Sequence, residues 1–133
     1  MCRLKVLFVG LSESATLVHD ALFLHPGSRL SVATSYGDLC LLSLQYHGEF
    51  QVAVLGVSPS PCELRRRAEY VRRRWPNTAI VLVADSCMVL DDPLYDVRVP
   101  SSIEPGDLLT VIDRNARGEA AREQNELRLR YQR

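Results

Sequence analysis

The feature that most constrains this chain is a repeated switch between two kinds of hydrophobic pattern. LKVLFVG (4–10), FQVAVLG (50–56) and TAIVLVA (78–84) are continuous apolar runs of strand length. RLSVAT (29–34) and YDVRVP (95–100) are shorter and weaker versions, the last stopped by proline. Continuous rather than alternating apolarity fits strands buried on both faces, as in a parallel sheet covered by helices.

Helical segments fill the gaps. Ser12 or Ser14 is placed to cap a helix running to about Leu24, which His25-Pro26-Gly27 ends. GDLCLLSLQYHG (37–48) reads as a second helix closed by Gly48. After Pro61, the residues Leu64, Ala68, Val71 and Trp75 make one apolar face, and Pro76 terminates it. From Glu104 to about Ala116, the residues Leu108, Leu109, Val111 and Ile112 form a last packing face. This alternation predicts an α/β fold: a doubly wound, five-stranded parallel sheet between two helical layers. One domain over 1–117 is expected. The charged stretch 118–133 reads as a helical extension or tail, with Arg122/Glu126 and Glu126/Arg130 at i,i+4 spacing.

A chain of 133 residues can bury roughly two-thirds of its unfolded surface. Its 16 basic and 16 acidic residues cancel, which argues against bulk electrostatic capture of nucleic acid or membrane. No apolar run reaches the roughly 18 residues of a membrane span, and the N-terminus lacks the pattern of a secretory signal, so the chain reads as cytosolic. Cys2, Cys40, Cys62 and Cys87 are scattered, as are His19, His25 and His47. Neither set has metal-ligand spacing, and reduced thiols packed as small hydrophobes are expected.

The register of KVLFVG, EFQVAVLG, NTAIVLVA and VRVP, followed by a leucine-bearing helix, resembles the receiver domain of bacterial response regulators. The resemblance covers roughly residues 3–116 and implies a flavodoxin-like, CheY-like fold. In that family the first strand ends in an acidic pair, which falls here on Gly10 and Leu11. The phosphoacceptor aspartate falls on Gly56, the hydroxyl residue ending the fourth strand on Val83, and the lysine before a proline on Val99, with Pro100 retained. Each replacement removes a part of the chemistry: oxygen ligands for Mg²⁺, the nucleophile, and the donors to phosphate oxygens. Ser58, Ser60 and Asp85 are the nearest substitutes, Asp85 being the one acid that could compensate. The segment DSCMVLDDPLYD (85–96) is shorter than the family's, implying a short or missing fourth helix and a rebuilt partner surface.

Two further features carry alternatives. ELRRRAEYVRRR (63–74) holds six arginines against two glutamates, in two triplets seven residues apart. It suits a solvated face with pairs such as Glu69 to Arg73, or a docking surface for an acidic protein through Arg66, Arg67, Arg73 and Arg74. It suits nucleic acid less, because aromatic residues are not interleaved with the arginines. GLSESAT (10–16) sits where phosphate loops sit, but it has neither the dinucleotide nor the Walker pattern, and helix capping explains its serines. The expectation is therefore a phosphorylation-independent, receiver-like interaction module of bacterial two-component or phosphorelay signalling. No catalytic group, metal or cofactor is expected. The partner would be a signalling protein, and self-association is a further expectation. The alternatives are a small-ligand or anion sensor at the strand ends near Gly10, Gly56 and Ala84, and a nucleic-acid adaptor using the arginine helix.

Overall fold

In a computed structural model of the chain, residues 4–45, 48–56, 61–84 and 94–116 are described. The elements run β1 (Lys5–Val9), α1 (Ser12–Phe23), β2 (Arg29–Ala33), α2 (Tyr36–Gln45), β3 (Val52–Leu55), α3 (Pro61–Arg74), β4 (Ala79–Val83), β5 (Val97–Val99) and α4 (Pro105–Ala116). All strand pairs are parallel, in the order β2-β1-β3-β4-β5. The order reverses between β1 and β3, which places a crevice at the carboxyl ends of those two strands.

The apolar runs are buried on both faces, as their continuity requires. Val6, Phe8, Val52, Val54 and Val81 pack with Val18 and Ala21 of α1 and with Leu108 and Ile112 of α4. Leu7, Val9, Ala53, Leu55, Ile80 and Leu82 pack on the other side with Leu39 of α2 and with Leu64, Ala68 and Val71 of α3. Trp75 closes that second layer. It is 1% exposed, meets Phe50 edge-to-face at 5.1 Å, and donates its indole N–H to the Gly48 carbonyl at 3.2 Å.

The helix ends depart from expectation in two places. The N-cap of α1 is Leu11, which has no side-chain hydrogen bond, so Ser12 and Ser14 both lie within the helix rather than at its cap. Helix α2 begins one residue earlier than expected, at Tyr36, and its expected end at 46–47 lies outside the described residues. Its start is set by Ser35, whose Oγ accepts the Asp38 N–H at 3.1 Å. The Asp38 carboxylate reaches back to the Thr34 hydroxyl at 2.7 Å and the Thr34 N–H at 3.2 Å. This is the reciprocal arrangement of a capping box, shifted by one residue.

The expected shortened helix between the fourth and fifth strands, Asp85 included, falls largely outside the described residues, as does the tail 118–133. Where the chain re-enters, Asp96 anchors the edge. Its carboxylate accepts the Ile80 N–H at 2.8 Å and Arg72 Nη2 at 2.9 Å.

Candidate functional site

The five positions expected to mark a vanished phosphorylation site lie near the carboxyl edge of the sheet, but they do not all meet. Gly10 and Gly56 are neighbours at the ends of β1 and β3, where the Gly56 N–H donates to the Val9 carbonyl at 2.8 Å. Val83 ends β4 and Val99 ends β5, both buried and paired in register. Leu11 stands apart: it is 44% exposed at the start of α1.

Phe8 explains the glycines. Residues two apart on a strand share a face, so the Phe8 ring lies on the same side as Gly10. A Cβ built on Gly56 would stand 2.8 Å from Phe8 Cζ and 3.1 Å from Cε1. A Cβ on Gly10 would stand 3.0 Å from the same Cζ and 3.1 Å from the Gly56 Cα. The ring therefore occupies the space that a side chain at 56 would need first. The sequence reading missed Phe8, although the signal was present: an aromatic residue two positions before one glycine, with a second glycine ending the adjacent strand.

Beside the ring is a cavity of about 250 Å³, lined by Phe8, Ser14, Leu17, Val18, Gly56, Val83 and Ser101. Among the described residues the lining is apolar apart from the Ser14 and Ser101 hydroxyls, with no ionisable side chain. The receiver family's Mg²⁺ does not fit this set, because a hard cation needs several oxygen ligands, preferably carboxylates. Among the described residues no group of three or more His, Cys, Asp or Glu side chains could hold a metal. A phosphoryl group, which brings nearly two negative charges, would find no cation in the lining.

The arginines of α3 divide by environment. Arg66 is exposed, with its guanidinium 4.1 Å from the Tyr36 ring centroid, and Arg73 is exposed as well. Arg74 is half-buried and donates to the Ser43 carbonyl at 3.2 Å. Arg67 corrects the expectation of a surface contact. It is 4% exposed, touches Glu63 at 3.4 Å, and leaves Nε and Nη1 without a partner. Glu69, expected to pair with Arg73, pairs with Arg65 at 3.3 Å instead.

Comparison with known proteins sets the class. No family model matches the sequence, and no curated protein matches it. Solved structures do match in fold. The CheY-like receiver domain protein of Methanospirillum hungatei JF-1 superposes with a TM-score of 0.72 at 15% identity, over 91% of this chain and 99% of that one. A structure described as adenylate cyclase from Rhodopirellula baltica gives 0.73 at 13%, over 97% and 98%. A response regulator from Thermotoga maritima gives 0.67 at 13%, over 86% and 98%. The chain thus has the flavodoxin-like fold of receiver domains, with five parallel strands and, among the described residues, four helices. No helix among those residues is long and apolar enough to cross a membrane.

Proposed function

We propose that this chain is a receiver-like interaction module of bacterial signal transduction that works without phosphorylation. One observation carries the reading: the Phe8 ring lies against Gly56, where an acceptor side chain would have to begin. A module of this kind acts through a constitutive docking surface and needs no ligand-driven population shift. The exposed arginines Arg66 and Arg73 of α3 are the leading part of that surface, since arginine favours bidentate contact with carboxylates at interfaces. No catalytic role is assigned.

The test is affinity capture of the tagged protein from nuclease-treated native lysate, with and without acetyl phosphate. The same signalling protein recovered in equal amounts under both conditions supports the reading. Recovery that depends on the phosphodonor, or failure to recover any signalling protein from the nuclease-treated lysate, overturns it.

A second reading has its own observation, the cavity of about 250 Å³ with two hydroxyls and no charge among its described lining residues. It would suit a small neutral ligand whose polar group meets Ser14 or Ser101, and would not suit an anion. Thermal-shift screening against neutral metabolites, repeated with Val83→Trp to fill the cavity, tests it. Stabilisation lost in that variant would favour the ligand sensor, and a flat profile would rule against it.

A further inference from the structure

Two surface patches, on opposite sides of the sheet, carry exposed apolar side chains that the fold does not use. On α1, Phe23 is 88% exposed and the adjoining Leu24 57%. On α2, Leu41 is 57% exposed and Leu44 72%. Each lies beside charge of opposite sign.

Helix α2 is tied alongside α3 at both ends. Tyr36 meets Arg66 and Tyr70, and Ser43 meets Tyr70 and Arg74. Four of the six α3 arginines contact an oxygen within the molecule: Arg65 with Glu69, Arg67 with Glu63, Arg72 with Asp96, and Arg74 with the Ser43 carbonyl; Arg66 lies over the Tyr36 ring. Arg66 and Arg73 have no carboxylate partner among the described residues. They lie seven positions apart, two turns, or about 10.5 Å along the axis. Helix α1 repeats that spacing in the opposite charge: Glu13 and Asp20 are seven positions apart in its sequence, and Asp20 is exposed. Phe23 lies one turn beyond Asp20 and is exposed with it.

We infer that the α2–α3 face docks the α1 face of a second copy of this chain, head to tail. The proposal rests on the reading of α3 as a docking surface and names its occupant. Leu41 and Leu44 would meet Phe23 and Leu24, and the basic pair Arg66 and Arg73 would meet the side of α1 that carries Asp20. Because α1 and the α2–α3 pair cover opposite faces of the sheet, each molecule keeps one face free after the other is filled. Contacts of this heterologous kind build open stacks rather than closed dimers unless the rotation closes a ring. The balance of 16 basic and 16 acidic residues fits a chain that supplies both halves of its own interface.

The experiment is sedimentation velocity on nucleic-acid-free protein over a concentration series, with two variants that each lose one face. Arg66→Glu/Arg73→Glu removes the basic face, and Asp20→Lys/Phe23→Ser removes the acidic one. All four residues are exposed, and circular dichroism melts check that both variants fold. The wild type should form a concentration-dependent ladder, each variant alone should be a monomer, and the mixture should form a particle of two chains and stop there. A wild type that stays monomeric throughout, a closed dimer that either variant retains, or a mixture that stays monomeric would overturn the proposal. The docking reading fails separately. If the wild type is monomeric but Arg66→Glu/Arg73→Glu abolishes capture of a signalling protein, α3 still docks a partner and only the second copy is wrong.

Discussion

At the scale of single residues, Phe8 and Gly56 form one unit: the ring needs the glycine, and the glycine excludes the carboxylate. Gly56→Asp must push a buried ring aside, and overpacking of this kind costs about 1–3 kcal/mol before any burial of charge. Phe8→Ala leaves a void and costs about 3–5 kcal/mol. The double variant should lose less than the sum, by about 0.5–3 kcal/mol, because the new side chain enters space the ring has left. Urea denaturation of the three variants measures the coupling, and additive losses would mean that the ring does not fill the site. Arg67 makes a second prediction. Its guanidinium is buried, with two unpartnered nitrogens and one long contact to Glu63. Replacing a poorly satisfied buried ion by an apolar side chain of similar length is often neutral or stabilising. Arg67→Met should therefore melt at or above the wild type, and a clear fall would show that the guanidinium has a stabilising role. Composition could not separate Arg67 from Arg66. Both belong to one arginine triplet, but Arg67, three residues after Leu64 and four before Val71, stands beside the buried face of α3, and Arg66 does not.

At the scale of elements, the strands were legible because burial on both faces writes a continuous apolar run, and the face of α3 was legible because its period is strong. Helix α2 was read less well. It has apolar residues on both its buried and its exposed sides, so periodicity alone could not set its ends. The signal that does set its start, Ser35-x-x-Asp38, was overlooked. Ser35→Ala should cost about 1 kcal/mol, read from a urea midpoint. Hydrogen bonds from Thr34, first its hydroxyl and then its N–H, hold the Asp38 carboxyl below the usual aspartate value. A depressed folded value means that the contribution is full above the unfolded value and is lost as pH falls through the folded one. Asp38→Asn should therefore flatten the acid limb of the stability profile and leave its shape near neutrality unchanged. An acid limb of unchanged slope would contradict the assignment.

At the scale of the whole molecule, a receiver-like fold surrounds strand ends that are apolar among the described residues. The sequence register located Gly10, Gly56, Val83 and Val99 near the carboxyl edge of the sheet, but it could not show that an aromatic ring covers the two glycines. That ring comes from inside β1, where a phenylalanine reads as one more core residue. Nor could it show that α2 packs alongside α3 through Tyr36 and Ser43, because side-by-side packing of two helices is a tertiary fact. Under the proposed function the carboxyl edge does not respond to a phosphoryl group. The most direct measurement is a ¹H–¹⁵N spectrum of the wild type titrated with Mg²⁺ and beryllofluoride, a phosphoryl analogue. The account predicts unchanged resonances for Gly10, Gly56, Val83 and the amides of α3. Saturable shifts that begin at those strand ends and reach α3 would contradict it.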